Sequence, residues 1–175
     1  ATKEEISMVG FEIVAYAGDA QTDLLAALDA AREGDFEKAE QLHKDASDAL
    51  IGAHDTQTKL LSQEAGGGEM EMTFIMAHAQ DTLMTTMILE KQTRFTIDAY
   101  KRIAELDRQL ERDNARMKEL LELMADPDFY INEAESSDAI AEHGKLKARI
   151  AAAEEEWFLL NEELEEEMRK QQEQA

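Results

Sequence analysis

An all-α protein is predicted by three features of this 175-residue sequence. It holds one proline, eight glycines and no cysteine, so structure breakers are scarce and neither disulfides nor thiolate metal sites are available. Charged residues make up 33% against 6% aromatics, the balance of helical bundles rather than of sheets packed on aromatic cores. Long stretches also repeat their apolar residues at helical spacing.

The first helix is expected to start near Thr2, which has Glu5 three residues on in capping-box spacing, and to bury Ile6, Val9, Ile13, Tyr16, Leu24, Leu25 and Leu28. Gly34 closes it and Asp35 caps the next. The second runs from about Phe36 to Ala65, turns Phe36, Ala39, Leu42, Ala46, Leu50, Ala53, Leu60 and Leu61 inward, and ends at Gly66-Gly67-Gly68. The third begins between Met70 and Thr73 and meets no Pro or Gly before Pro127, so residues 70–125 read as one rod roughly 80 Å long at about 1.5 Å per residue.

That length sets the expected organisation. Residues 1–103 should form a three-helix up-down bundle, complete near Tyr100, whose third helix continues into an antiparallel coiled-coil hairpin over residues 104–175. Ile103, Leu106, Leu110, Met117, Leu120 and Met124 follow heptad spacing with Asp113 as a polar interruption, and Leu146, Ile150, Ala153, Trp157, Leu160 and Leu164 follow the same alternation. A polar loop from about Asp126 to Asp138 would join the two stripes, and Met168 to Ala175 should fray.

The formal charge of −22 is spread along the chain: residues 1–99 carry seven Lys/Arg against nineteen Asp/Glu, and residues 100–175 eleven against twenty-one. Such a field repels nucleic acid and anionic membranes and favours partners with a basic docking face. No stretch approaches the roughly 18–20 apolar residues of a membrane span, and the N-terminus lacks a basic, apolar signal segment. The expectation is a cytoplasmic protein without direct membrane insertion. There is no Gly-rich Lys loop for nucleoside triphosphates, which excludes ATP hydrolysis, and four scattered histidines without a His-x-x-x-His pair argue against a metal-dependent enzyme. The Met residues around 70–87 read as bundle packing, and His43 and His143 as exposed surface residues.

The run Phe74-Ile75-Met76-Ala77-His78-Ala79-Gln80-Asp81-Thr82-Leu83-Met84-Thr85-Thr86 is an apolar helical stretch interrupted by one imidazole and one carboxylate. Three residues apart, His78 and Asp81 lie on one helix face, so the carboxylate can orient the ring or share a charged site with it. Read without context, His78 is more often a satisfied core histidine.

This run resembles the signature of the IIA proteins of the lactose/cellobiose branch of the bacterial sugar phosphotransferase system (PTS). Glu4-Glu5-Ile6, Ala17-Gly18-Asp19-Ala20, Glu33-Gly34-Asp35-Phe36, Ala53-His54-Asp55-Thr56-Gln57-Thr58, Glu64-Ala65-Gly66-Gly67 and Tyr100-Lys101-Arg102 extend the resemblance over residues 3–103. It implies a homotrimer and a phosphohistidine carrier in which His78 accepts a phosphoryl group from HPr and passes it to a cysteine of a IIB protein. Gln80, Thr82 and His54 would be its neighbours, although His54 reads equally as a helix histidine bonded to a carboxylate or carbonyl. For Asp81 the resemblance implies a place near the trimer axis, where three copies would gather a divalent cation such as Mg; otherwise no cofactor is needed. The plain alternative is a helix-face carboxylate bonded to water or to a neighbouring helix. Two positions depart from the pattern: Thr82 stands where the family commonly has a second histidine, and Gln21-Thr22 where Arg-Ser usually follows Gly-Asp-Ala.

The segment Met124-Ala125-Asp126-Pro127-Asp128-Phe129-Tyr130, with Ala151-Ala152-Ala153 and Trp157 beyond, resembles the C-terminal coiled-coil hairpin of ABC-F ATPases. Two modules sharing one helix without a linker predict an engineered fusion, a chimera in which a IIA trimer serves as a building block for a higher-order assembly through the hairpin. The sequence thus leads to a phosphocarrier with a rigid helical appendage, with such a scaffold as the alternative.

Overall fold

The computed structural model describes residues 1–173, which form four long α-helices: α1 (Lys3–Arg32), α2 (Phe36–Ala65), α3 (Phe74–Met124) and α4 (Glu133–Glu173). A single 3-10 turn, Phe129–Ile131, precedes α4. Local chemistry accounts for the ends. Thr2 Oγ1 accepts from the Glu5 amide at 3.2 Å while Glu5 Oε2 accepts from the Thr2 amide at 2.8 Å, and these bonds hold the Glu5 carboxyl below its usual range. Between α1 and α2 the chain turns at Gly34, whose φ of +83° lies in the region that favours glycine, and Asp35 Oδ1 then accepts from the Lys38 amide at 3.2 Å.

The chain divides into two compact units, Ala1–Tyr100 and Lys101–Ala175. In the first, Ile6, Ile13, Leu24, Leu50, Met76 and Leu83 pack with a large set of alanines; Ala17, Ala20, Ala27, Ala39, Ala46 and Ala79 are all fully buried. Small residues at these positions bring helix axes toward the short end of the usual 8–10 Å range. This displaces larger residues that their spacing had placed in the core: Tyr16 is 45% exposed, Leu25 56% and Leu61 50%. Charged ties add direction. Arg94 grips Glu40 with two bonds of 2.6 and 2.7 Å and reaches Asp98 at 2.8 Å, contacts that raise its pKa further.

In the second unit the later part of α3 and α4 run antiparallel, as the pairs Arg102–Glu156, Arg116–Glu142 and Arg149–Asp113 require. Leu120, Phe129, Ala139, Leu146 and Ile150 form its buried cluster, and the Phe129 ring meets Tyr130 edge-on at 4.8 Å.

The expected three-helix bundle with a separate coiled-coil hairpin is corrected to a four-helix all-α fold. α3 runs unbroken for 51 residues, as the rod expected over residues 70–125 requires, but α4, at 41 residues, is a full-length fourth helix and not an appended hairpin arm. Nor do the buried positions of the second unit make an uninterrupted apolar seam. Asp113 and Ser136 are buried among them, and the Trp157 indole is half-exposed and donates to Asp107 at 2.8 Å. The connection is also shorter than expected: α4 starts at Glu133, inside the stretch read as a loop, because the Asn132 carbonyl and side chain accept from the Ser136 and Glu135 amides. Over the expected tail from Met168, α4 is helical through Glu173, and the last two residues lie outside the described residues.

Candidate functional site

The start of α3 is fixed from both sides. Thr73, buried just before the helix, accepts the Met76 amide on Oγ1 at 3.2 Å. Gly10 of α1 faces the backbone of Ile75 and Met76 so closely that a Cβ there would stand 3.2 Å from it, an approach that only glycine makes without displacement. From this base α3 presents two faces. Met76, Ala79, Leu83 and Thr86 are buried, whereas Phe74, Ala77, His78, Asp81, Met84, Thr85 and Ile88 are exposed.

His78 therefore stands on the solvent face, not in the core, and the core-histidine reading is set aside. Among the described residues its one hydrogen bond beyond the helical ladder is made by its carbonyl, which accepts from Thr82 Oγ1 at 2.8 Å. His78 is exposed, and its imidazole is hydrogen-bonded neither to Asp81 nor to any other described side chain. Asp81 is exposed on the same face, and its carbonyl accepts from Thr85 Oγ1 at 2.5 Å. Thr82 and His78 are thus brought together through the backbone, the Thr82 hydroxyl being committed to a carbonyl four residues back.

Gln80 and His54 are placed apart. Gln80 is half-buried and lines a cleft of about 110 Å³ with Ile6, Leu60, Met70 and Met76. His54, half-buried on α2, lines a different depression of about 130 Å³ with Ser47, Asp55, Met87 and Lys91. The expectation of exposed surface residues fails for His43. It is 8% exposed, with Nε2 3.1 Å from Glu90 Oε1 and 3.2 Å from the Glu90 carbonyl. His143 is half-buried.

The divalent cation expected at Asp81 depended on three copies meeting at an axis. Among the described residues no three His, Asp or Glu groups converge to hold a metal, and one carboxylate does not make a cation site. No helix among the described residues is long and apolar enough to cross a membrane.

Two residues beside the His78 turn, Gln21 and Thr86, were not read as site residues from the sequence. Gln21 Nε2 donates to Thr86 Oγ1 at 2.9 Å, and Thr86 Oγ1 donates to the Thr82 carbonyl at 2.7 Å. The run of threonines at 82, 85 and 86 held a signal, since each can bond a carbonyl one turn back. Its tie to α1 spans 65 residues and left no local trace.

Residues 8–101 match the family described as PTS system, lactose/cellobiose-specific IIA subunit. The chain is 63% identical over 107 residues to the PTS system lactose-specific EIIA component of Lacticaseibacillus casei, covering 61% of this chain and 96% of that protein. The corresponding component of Staphylococcus epidermidis is 47% identical over 100 residues, covering 57% and 96%. Among solved structures, PtcA from S. mutans aligns with a TM-score of 0.56 and 40% identity over 58% of this chain and 99% of that one. The cellobiose-specific enzyme IIA from Bacillus anthracis aligns with a TM-score of 0.55 and 28% identity over 60% and 94%.

All of these matches concern the IIA family. None carries the resemblance to an ABC-F hairpin, and that reading is withdrawn together with the chimeric, engineered origin built on it. The homotrimer and the higher-order assembly also find no support in these matches or in the single chain, and are withdrawn too. With more than half its length matched, the chain belongs to the lactose/cellobiose-specific IIA subunit family of the PTS, with the phosphotransfer role and the HPr- and IIB-type partners general to that family.

Proposed function

We propose that His78 is the phosphoryl acceptor of this chain, that HPr is its donor and that a IIB cysteine is its recipient, with residues 1–103 as the carrier domain. The supporting observation is the exposed imidazole of His78, unbonded among the described residues, on a helix anchored at its start by Thr73 and Gly10. In the first step a ring nitrogen of His78 forms a P–N bond while the donor's P–N bond breaks and its electron pair returns to the donor imidazole. In the second, the cysteine thiolate forms a P–S bond as the P–N bond to His78 breaks. The protein's part is to position the ring for an in-line transfer through a loose transition state.

The neighbours have separate tasks in this reading. Asp81, three residues on along the same face, balances positive charge on the ring when it is protonated. Thr82 holds the backbone of the acceptor turn through the bond from its hydroxyl to the His78 carbonyl. Gln80 borders the cleft at the start of α3, and His54 a separate depression that meets α3 at Met87 and Lys91.

Intact-mass analysis after incubation with phosphoenolpyruvate, the general PTS enzyme and HPr tests the proposal. One added phosphate on the parent and none on His78→Ala is the expected result. A parent that stays unmodified while HPr is phosphorylated would sink the proposal.

A further inference from the structure

His78 has an unusual dependence on its backbone. Because no described side chain bonds its ring, the position of the reactive nitrogens is set by the helix turn beneath it and by the rotamers that turn allows. Whatever fixes the turn fixes the acceptor.

Three carbonyls of that turn carry donors beyond the helical amides, among them the Asp81 carbonyl, which accepts from Thr85 Oγ1 at 2.5 Å. The His78 carbonyl accepts from Thr82 Oγ1 at 2.8 Å, and the Thr82 carbonyl accepts from Thr86 Oγ1 at 2.7 Å and, at a longer 3.2 Å, from Thr85 Oγ1. Hydroxyl bonds of this kind draw carbonyls outward and bend a helix. A threonine hydroxyl has one proton and can send it elsewhere. At Thr86, which is fully buried, that choice is made from α1: Gln21 Nε2 donates to Thr86 Oγ1 at 2.9 Å, occupying the oxygen as an acceptor and leaving its proton to the Thr82 carbonyl. Bonds in such a chain polarise and strengthen one another.

We infer that Gln21 and Thr86 are positioning residues for phosphoryl transfer: the chain Gln21–Thr86–Thr82 sets the bend of the turn that carries His78, and through it the line of approach to the ring. This rests on His78 being the acceptor. Neither residue touches the ring, so their effect is on geometry at the transition state and not on partner binding. A misplacement of about 1 Å can cost on the order of a hundredfold in rate, and a partial relaxation of one turn should cost about tenfold.

The polarity of the chain gives the test its edge. Gln21→Glu keeps the size of the side chain but replaces a donor by an acceptor, which draws the Thr86 proton away from the Thr82 carbonyl. Gln21→Leu removes the bond, Thr86→Val removes the hydroxyl, and Thr86→Ser keeps it. In single-turnover transfer from phosphorylated HPr to the full chain, the limiting rate should fall about tenfold in Gln21→Glu, Gln21→Leu and Thr86→Val. The HPr concentration for half-maximal rate should stay within about twofold of the parent, and Thr86→Ser should run at the parental rate. Far-UV circular dichroism and thermal midpoints identify any variant whose fold is lost, and Gln21→Glu, half-buried and near-isosteric, keeps the comparison available if Thr86→Val unfolds.

Parental rates in both Gln21 variants would overturn the inference while leaving His78 as the acceptor. So would a loss expressed in half-saturation, or a Thr86→Ser variant as slow as Thr86→Val. A parent that takes no phosphate from HPr overturns the acceptor reading, and the positioning role falls with it.

Discussion

Leu83→Ala probes the packing under the acceptor turn. Leu83 is fully buried, five residues beyond His78, among Ile13, Ala20, Leu24, Leu50, Ala53 and Ala79. Removing three carbons forfeits about 2.4 kcal/mol at about 0.8 kcal/mol per buried methylene. The cavity adds to this in proportion to what remains unfilled. Half of those neighbours are alanines, which have no side-chain rotamer with which to close a gap, so roughly 60 Å³ should persist and add about 1.4 kcal/mol at about 24 cal/mol per Å³. The sum, about 3.8 kcal/mol, lies near the middle of the span of about 2.7–5.0 kcal/mol for such substitutions. Urea unfolding followed by far-UV circular dichroism gives the measurement, with Leu25→Ala as the control. Leu25 is 56% exposed, and its truncation should stay within about 0.5 kcal/mol. A Leu83→Ala loss below about 1.5 kcal/mol, or a Leu25→Ala loss of similar size, would refute the assignment of the core to the alanine face of α1.

Thr2→Ala removes the capping box of α1 and should lower stability by about 1 kcal/mol, read from the urea midpoint. Gly34→Ala forces a Cβ onto a residue with φ of +83° and should destabilise by about 1 kcal/mol or more in the same assay, although the space around Gly34 is open. Hydrogen bonds from Arg149 hold the Asp113 carboxyl below its ordinary value. Its contribution is therefore complete above the unfolded pKa of about 3.9 and is lost as pH falls through the lower folded value. Thermal midpoints taken from pH 6 down to pH 2 should fall less steeply below pH 4 in Asp113→Asn than in the parent, and parallel curves would remove Asp113 from the acid limb.

Signals confined to a few neighbouring residues were legible in the sequence. Thr2 with Glu5, Gly34 with Asp35 and the glycines at 66–68 mark helix ends by capping chemistry that needs no tertiary partner, and the structure places α1 and α2 accordingly. The inward face was harder to read. Helical spacing admits both Leu25 and Ala27 near a core stripe, and size favoured the leucine, but close helix contact selects the alanine. His43 looked like a surface residue because its partner, Glu90, lies 47 positions away. In the second half the heptad spacing did not amount to a coiled coil. Arg149 brings the buried Asp113 into an ion pair that spacing alone reads as a flaw in a coiled coil.

The candidate site divides along the same line. His78 was legible because its chemistry stands out in an apolar run, whereas the groups that hold its turn are threonines and a glutamine, residues that also occur at solvent-facing positions of many helices. On the proposed reading, that division has a chemical reason. A carrier must offer the same nitrogen to two different partners in succession, and any side chain bonded to the ring would have to release it at each encounter. Fixing the backbone instead leaves the ring free at both encounters, and anchors the ordering bonds on a side chain beneath the surface. Thr86 at 0% exposure and His78 on the exposed face two turns earlier are the two ends of that arrangement. The restraint can then be broken from α1, through Gln21, without altering any atom of His78 itself.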